Sequence, residues 1–301
     1  MHWKVISCIV AVRSTRSIDR SKTWRGRDFS TKVELPVDLE LGNKVAVIMG
    51  GTSGVGLAVA KRLLDEGARV AICGRAASKL QMAESLLRQS VNQAADRVLA
   101  MTCDATDVSM VHLFIEAVGK AYGGIDVLVN SAGGSLMKSF FELTQTDWMD
   151  QINLKYFAVI YAVQESIPYL KQSTAPRIIN INSTLAREAN EKLVATGATR
   201  AGLLNLTKSL ALELAPYEIL VNSVSLGVIR SDQWERRRQS DPGGGDADVW
   251  YQQLASSRRI PLGRVGLPRE VADVIAFMAS ARSSYVTGTC IEVDGGMSRY
   301  V

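Results

Sequence analysis

The 301-residue sequence has few of the residues that build metal sites and disulfide frameworks. It contains two histidines, His2 and His112, and four cysteines. The cysteines lie far apart and form no C-x-x-C pair: Cys8, Cys73, Cys103 and Cys290. Wide spacing of this kind argues against a disulfide framework or a zinc site. We therefore expect no metal, and a reducing cytoplasm is the default location.

Long hydrophobic runs are also lacking. The longest candidate near the start, from Val5 to Val12, is too short to span a bilayer, so no membrane partner is expected. Nor does the body of the chain carry an excess of positive charge. Residues 1–32 hold eight Lys or Arg and two Asp, a net charge of +6, although the whole chain carries only +5. The nearly neutral remainder gives no support for a nucleic-acid partner.

The basic residues 1–40 form a separate N-terminal extension that precedes the first predicted strand. Its Arg- and Ser-rich composition is typical of a disordered tail or of a stretch upstream of the true start. Organellar targeting is the alternative, because transit peptides share this composition. The predicted domain then covers residues 41–301.

A buried strand, a glycine turn and an amphipathic helix follow one another after residue 44. Val45 to Met49 is entirely apolar, and Gly50, Gly54 and Gly56 follow it directly. This unit binds dinucleotides, because a turn without side chains lets backbone N–H groups approach a pyrophosphate at the positive end of a helix. A tight turn with no ligand is the structural alternative.

The end of the second predicted strand distinguishes between the two nicotinamide cofactors. A cofactor with a free 2′-hydroxyl requires an acidic residue at this position. The sequence has Gly74 and Arg75 instead, and an arginine fork suits a 2′-phosphate. NADP(H) is therefore favoured over NAD(H), unless Arg75 merely ends a strand at the surface. After the third strand, Asp104 is suited to accept from the adenine amino group, and Asp107 is the better helix cap.

Apolar strands alternate with amphipathic helices along the rest of the chain. The predicted strands are Val45–Met49, Arg69–Cys73, Arg97–Met101, Ile125–Val129, Arg177–Asn182, Ile219–Val224 and Cys290–Val293. This alternation predicts an α/β fold with a single doubly wound, Rossmann-type parallel sheet and helices on both faces. Long helices are expected over Asp147–Leu170 and Leu193–Ala215. Residues 228–260 interrupt the pattern with Arg236 to Arg238 and a glycine run, so this insertion is a lid candidate.

Several of these segments together resemble the short-chain dehydrogenase/reductase family over about residues 43–298. The glycine turn fits its T-G-x-x-x-G-[IV]-G motif with Met49 at the threonine, and Asn130 to Gly133 fits N-N-A-G. Asn153 fits the asparagine of its central helix, Ser183 its catalytic serine, and Val221 to Gly227 its V-N-x-V-x-P-G segment without the proline. Pro261 to Arg264 and Tyr285 to Gly296 match its C-terminal signatures.

The resemblance implies a set of cofactor contacts. These are Gly50, Thr52, Ser53, Gly54, Val55, Gly56, Arg75, Asp104, Asn130, Ala132, Gly133, Arg200, Gly227 and Ile229. It also implies small-molecule substrates and pairing of the long helices into a homodimer or homotetramer.

One departure concerns the family's Y-x-x-x-K motif, which is expected thirteen residues after the serine. Here the tyrosine position is Thr196 and the lysine position is Arg200. A phenol has a pKa of about 10, whereas an aliphatic hydroxyl does not ionise usefully. The expected catalytic residues are therefore Ser183, Asn153, Thr196 and Arg200, with a non-standard proton donor. The candidate replacements are Tyr251, Glu188, Glu191 and water.

Three functions agree with these residues. The leading one is an NADP(H)-dependent oxidoreductase that transfers hydride between nicotinamide and a carbonyl or alcohol. The second is a catalytically silent NADP(H)-binding protein, and the third is a non-redox enzyme on the same scaffold.

Overall fold

Seven strands form one sheet in the computed structural model, which describes residues 37–91 and 95–300. They are β1 (Val45–Met49), β2 (Arg69–Gly74), β3 (Val98–Thr102), β4 (Val127–Asn130), β5 (Arg177–Ser183), β6 (Leu220–Leu226) and β7 (Cys290–Val293). All neighbours are parallel, in the order β3-β2-β1-β4-β5-β6-β7. The predicted α/β fold with a single doubly wound, Rossmann-type sheet is confirmed.

All of these strands lie in one compact unit, Asp38–Val301. The predicted N-terminal extension, residues 1–40, lies outside the described residues except for residues 37–40.

Strands β1 and β4 lie side by side at the point where the strand order reverses. Met49 is in register with Asn130, so the loops that follow the two strands start at the same level of the sheet and lead to strands on opposite sides of it, β2 and β5. A crevice therefore opens at the carboxyl edge between these loops, and this is where open α/β sheets bind their ligands.

Helices cover both faces of the sheet. They are α1 (Gly54–Asp65), α2 (Ala77–Ser90), α3 (Val108–Tyr122), α4 (Gln145–Ile152), α5 (Ala158–Leu170), α6 (Val194–Leu214), α7 (Asp232–Ser240), α8 (Ala247–Ser257) and α9 (Pro268–Ala279). Side chains alternate along β1: Ala46 and Ile48 join the core beneath α1, α2 and α9, whereas Val47 and Met49 join the core beneath α3, α5 and α6. Burial of both faces explains the unbroken apolar runs of the sequence.

The cap of α3 confirms a local prediction. The Asp107 side chain accepts hydrogen bonds from the backbone N–H groups of Ser109 and Met110 at 2.9 and 3.1 Å, and the helix ends at Gly123 with φ of +80°.

The long helix predicted over Asp147–Leu170 begins earlier and is not uniform. Thr144 and Asp147 bond reciprocally at its start, so the first turn begins at Gln145. A π-helical turn, Asn153–Phe157, then joins α4 to α5. Because such a turn accommodates an extra residue, it changes which side chains face the sheet, and π turns occur often at functional sites.

The insertion at residues 228–260 contains two helices, α7 and α8, that the sequence pattern did not predict. They enclose a small apolar cluster of their own, in which Tyr251 and Ala255 are buried. Trp250 packs between Trp234 and Tyr251, at ring-centroid distances of 6.4 and 5.2 Å. Among the described residues, no helix has the length and apolar character needed to cross a bilayer.

Candidate functional site

Two glycines at the turn between β1 and α1 lie where a side chain has no room. Gly50 has φ of +82°, and a Cβ placed there would lie 2.7 Å from the backbone Cα of Ala132. A Cβ at Gly56 would collide with the carbonyl oxygen of Gly50. These glycines therefore allow the loops after β1 and β4 to approach each other at the start of α1. The positive end of α1 faces this space, as a pyrophosphate-binding turn requires.

Two cationic side chains lie just after the carboxyl end of β2. Arg75 is 75% exposed and lies 3.9 Å from an Asp104 carboxylate oxygen. Lys79 is on the first turn of α2, 3.8 Å from Asp232. Gly74, the last residue of β2, has no side chain and therefore places no carboxylate here. Sequence reasoning missed Lys79, although its position one helical turn beyond Arg75 was readable from the sequence.

A cavity of about 550 Å³ extends along the carboxyl edge of the sheet and joins these features. Most of the predicted site residues line it: Gly50, Thr52, Ser53, Gly54, Val55, Gly56, Arg75, Asp104, Ala132, Gly133, Ser183, Arg200, Gly227 and Ile229. Ser131, Trp234 and Arg236, which belong to segments singled out in the sequence, line it as well, and the lining also includes residues that sequence reasoning did not name, among them Lys79, Ser135, Leu154 and Gln233. Asn130, Asn153 and Thr196 do not line it.

Asn130 has a structural position behind the cavity. Its side chain is buried and donates to Asn180 Oδ1 at 2.8 Å, and Asn180 donates in turn to Thr207 Oγ1 at 2.9 Å. This chain of hydrogen bonds ties β4, β5 and α6 together. It thereby fixes the loop after β4, which carries Ala132 and Gly133.

Ser183 and Arg200 both line the cavity near the end of β5, three strands away from the end of β2 where Arg75 lies. Ser183 ends β5, and its Oγ accepts a hydrogen bond from the Leu185 N–H at 3.3 Å. Arg200 reaches this end from α6 and donates from Nη1 to the carbonyl oxygen of Ile181 at 2.5 Å. Burial lowers the pKa of Arg200 to about 10. Its buried Nε has no hydrogen-bond partner among the described residues.

Thr196 lies on the same helix as Arg200 but is buried, with 1% of its surface exposed. Its Oγ1 accepts from the Leu136 N–H at 3.0 Å and lies 3.3 Å from the Leu136 carbonyl oxygen. The hydroxyl therefore holds the loop after β4 against the start of α6.

Lys155 is the group that sequence reasoning missed in the central helix. Asn153 begins the π-helical turn, whereas Lys155, two residues later, is 1% exposed and donates from Nζ to the Gly134 carbonyl oxygen at 2.7 Å. The only available signal was a single lysine directly before the apolar run from Tyr156 to Val163, and such a lysine is ordinarily assigned to the surface.

Free thiols line the β2 side of the cavity. Cys73 and Cys103 are both buried there, and the neighbouring Cys103 thiol together with burial raises the pKa of Cys73 well above its usual value. In residues 37–91 and 95–300, no three His, Cys, Asp or Glu side chains come together as metal ligands.

Comparison with known proteins identifies the family. A family model described as enoyl-(acyl carrier protein) reductase matches residues 50–298. The short chain oxidoreductase of Pseudomonas aeruginosa PAO1, solved with NADPH and described as containing an atypical catalytic center, is 41% identical. It covers 86% of this chain and 100% of its own, with a TM-score of 0.82. The chain belongs to the short-chain dehydrogenase/reductase family.

Other short-chain dehydrogenases and reductases match over similar lengths. The 3-oxoacyl-[acyl-carrier-protein] reductase of Aquifex aeolicus is 31% identical over 263 residues, which are 87% of this chain and 100% of that protein. L-sorbose reductase from Gluconobacter frateurii, in complex with NADPH and L-sorbose, is 29% identical. That structure covers 88% of this chain and 100% of its own chain, with a TM-score of 0.83.

The cavity of this short-chain dehydrogenase/reductase has two chemically different ends. One end offers cations and a glycine turn that suit a phosphorylated dinucleotide. The other offers the Ser183 hydroxyl and the Arg200 guanidinium, which are hydrogen-bond donors for an oxygen that becomes negatively charged.

Proposed function

We propose that this protein is an NADP(H)-dependent oxidoreductase that acts on the carbonyl or alcohol group of a small molecule. The observation that carries the proposal is the single cavity that joins the glycine turn at Gly50 to Ser183 and Arg200. When bound, the cofactor supplies or accepts the hydride. The protein contributes the cavity that aligns the two reactants and the donors that face the reacting oxygen.

NADP(H) is proposed rather than NAD(H) on the basis of charge. Arg75 and Lys79 both line the cavity, and the residue that ends β2 has no side chain. A 2′-phosphate would meet two cations, of which Arg75 can bind it in a bidentate manner. The two relatives solved with NADPH support this choice. A Cβ placed on Gly74 would lie 2.5 Å from Thr52 Cγ2, and this collision also disfavours an acidic side chain at this position.

We propose Ser183 and Arg200 as the catalytic residues. The Ser183 hydroxyl donates a hydrogen bond to the substrate oxygen, and the Arg200 cation stabilises negative charge there. The other two expected catalytic residues, Thr196 and Asn153, do not line the cavity. A catalytic role for them stays a prediction. We assign Thr196 to holding Leu136, because its hydroxyl is already engaged there.

The proton donor is proposed to be water. Tyr251 lies in the apolar cluster of the insertion, and Glu188 accepts a hydrogen bond from the Arg299 N–H at 2.5 Å. Loss of a positioned general acid costs roughly 10²–10⁴ in rate, which is about 3–5 kcal/mol. Alignment of two reactants contributes about 7–11 kcal/mol. The larger contribution is therefore retained in this cavity.

The insertion at 228–260 is proposed to act as a lid over the substrate end. Its helix α7 supplies Gln233, Trp234 and Arg236 to the cavity, and Gln233 Nε2 donates to the Ser135 carbonyl oxygen at 3.0 Å. The indole favours an apolar or aromatic substrate portion, and the arginine favours an anionic one.

A second candidate function is cofactor binding without turnover. The buried hydroxyl of Thr196 favours it, because the position expected to hold the phenolic acid carries no acid facing the cavity. The two candidates are separated by turnover alone, since both bind NADPH.

The test measures NADPH binding by fluorescence and NADPH oxidation across a panel of ketones, aldehydes and oxo acids. We expect tight NADPH binding and carbonyl-dependent oxidation that Ser183→Ala lowers by 10-fold or more without weakening NADPH binding. Binding without oxidation of NADPH would support the silent protein, and absence of binding would overturn both.

The remaining expectations concern assembly and location. We propose a homodimer or homotetramer through the long helices, where Phe157 and Leu212 are exposed apolar side chains. Light scattering of the purified protein tests this. A cytoplasmic location and a separate role for residues 1–40 stay predictions, which fluorescence microscopy of full-length and truncated fusions tests.

A further inference from the structure

Lys155 is a buried cation without a carboxylate partner. Its side chain extends from the π-helical turn into the interior and is 1% exposed. Its hydrogen bond goes to a neutral group, the carbonyl oxygen of Gly134, at 2.7 Å. No carboxylate in residues 37–91 and 95–300 pairs with it within 4 Å. Burial of an unpaired charge is costly, so such a group is rarely retained for stability alone.

A second buried cation lies beside Lys155. A Cβ placed on Gly133 would lie 3.1 Å from Lys155 Nζ and 3.3 Å from Arg200 Nη2. Both cations therefore reach the same point of the loop after β4. Gly133 itself lines the cavity, as does Arg200. Because Gly133 has no side chain, the Lys155 ammonium approaches the backbone of a residue that lines the cavity.

Two groups reach the Lys155 ammonium from other elements. The loop after β4 presents the Gly134 carbonyl, and α6 presents the Arg200 guanidinium. Four residues before Lys155, Gln151 is buried and uncharged, and its Oε1 lies 3.4 Å from Thr196 Oγ1. The acidic group at the start of α4, Asp147, is already paired with Lys138 at 2.9 Å. Two cationic side chains thus meet at this point, and no carboxylate in the described part of the chain forms an ion pair with either.

We propose that Lys155 is a positioning residue of this site, and that its ammonium acts with and through Arg200 to stabilise negative charge on the substrate oxygen. The inference rests on the proposed function. It adds the positive charge of Lys155, on the central helix, to the charge with which Arg200 stabilises the substrate oxygen. An arrangement of two cations that is unfavourable in the empty protein becomes favourable when an oxygen acquires negative charge in the cavity.

The pH dependence follows from the same arrangement. Burial lowers the pKa of the Lys155 ammonium well below its usual value, and the Arg200 charge lowers it further. The active form carries the ammonium, so carbonyl reduction should slow as the pH rises through this lowered pKa. Stability should show the opposite trend. Above the lowered pKa the unfolded chain binds the extra proton, and the folded protein therefore gains stability with rising pH up to the ordinary lysine pKa.

The experiment compares Lys155→Met, Lys155→Arg and Lys171→Met with the wild-type protein. Lys171 lies at the end of α5, where its Nζ stacks on the Tyr217 ring at 3.6 Å, and it serves as the matched control. We measure kcat and KM for NADPH oxidation from pH 6 to 10, the Kd for NADPH, and the melting temperature at each pH. Lysine-specific ¹³C labelling reports the titration of the Lys155 Cε signal, which Lys155→Met assigns.

We expect Lys155→Met to lower kcat by about 10-fold or more, to leave the Kd for NADPH within about twofold, and to abolish the alkaline fall of kcat. It should also lose the gain in melting temperature with rising pH. Lys155→Arg should recover most of kcat with the alkaline fall displaced upward, and Lys171→Met should match the wild type. In Arg200→Met the Lys155 signal should titrate at a higher pH than in the wild type.

Three results would overturn the inference. If wild type and Lys155→Met share one kcat–pH profile, Lys155 contributes no charge to the reaction, whereas the oxidoreductase assignment stands. A Lys155 signal that is unaffected by Arg200→Met also overturns the inference alone. If the wild-type protein binds NADPH but none of the carbonyl compounds causes NADPH oxidation, both the inference and the proposed function are overturned.

Discussion

Thr196 Oγ1 accepts a hydrogen bond from the backbone N–H of Leu136 at 3.0 Å, so this hydroxyl faces the loop after β4 and not the cavity. The residue at the position of the family's phenol therefore joins two structural elements. Because the Thr196 hydroxyl supports this loop and does not face the cavity, its effect on protein stability and its effect on turnover can be tested separately.

Thr196→Val should lower stability but not activity. The valine keeps the shape of threonine but leaves the Leu136 N–H without its acceptor, which costs about 1–3 kcal/mol. Thermal unfolding and NADPH-dependent turnover are measured together. Thr199→Val is the matched control on the same helix, since its hydroxyl donates to the Ala195 carbonyl within α6. A variant with full stability and lost turnover would show that the Thr196 hydroxyl takes part in the reaction.

Arg75→Ala should lower the affinity for NADPH by about 10-fold and leave the affinity for NADH unchanged, because a charge-assisted hydrogen bond is worth about 1.5–3 kcal/mol. Lys79→Ala should act in the same direction, and the double variant should bind both cofactors similarly. Fluorescence titration measures the affinity of each protein for both cofactors. Lys61→Ala, which removes a surface cation paired with Asp65 on α1, is the control and should alter neither affinity. Equal losses for NADPH and NADH in Arg75→Ala would contradict the 2′-phosphate assignment.

Gly50→Ala should abolish detectable NADPH binding. Gly50 has φ of +82°, and the added Cβ would lie 2.7 Å from the Ala132 backbone, so the loops after β1 and β4 must separate. Backbone strain of this kind costs about 1–3 kcal/mol before the collision is counted. Gly42→Ala is the control, because a Cβ there meets no atom within 4 Å. Calorimetric titration with NADPH distinguishes the two, and tight binding by Gly50→Ala would refute the glycine turn as the cofactor site.

A chain that starts at Asp38 should keep the melting temperature and the NADPH affinity of the full-length protein. Glu40 pairs with Arg282 at 2.9 Å in an exposed position, and Leu41 is buried in the core. A chain that starts at Gly42 loses Leu41 and should be destabilised by about 2–5 kcal/mol, the cost of emptying a buried leucine site. Scanning calorimetry of the two truncations measures this difference. Precipitation of the chain that starts at Asp38 would show that residues 1–37 are needed for folding.

The sequence was sufficient to predict the sheet, the glycine turn and both ends of the cavity. Val45 to Met49 is apolar throughout because both faces of β1 are covered, and this pattern can be read without a structure. Ser183 was expected at a strand end, and the carboxyl ends of parallel strands share one edge. The residues at this edge therefore follow from the order of elements alone.

The central helix could not be predicted to the same depth. A π-helical turn leaves no periodic signal in the sequence. The sequence therefore did not show that the side chain of Lys155, two residues after Asn153, is the one that reaches the loop after β4. Burial of Lys155 and the inward direction of the Thr196 hydroxyl depend on contacts with Gly134 and Leu136, which lie far away in the chain. Side-chain direction of this kind is decided by tertiary packing and not by local preference.

The apolar cluster of the insertion has a consequence for the evolution of this protein. Tyr251, Ala255 and Ile260 pack with one another and belong to neither of the two cores that cover the sheet. Substitutions in α8 can therefore accumulate without loosening either core, whereas α7 also carries Asp232, which pairs with Lys79 near the end of β2. Under the proposed function, selection can exchange the substrate portion that contacts Trp234 and Arg236 while the glycine turn stays unchanged.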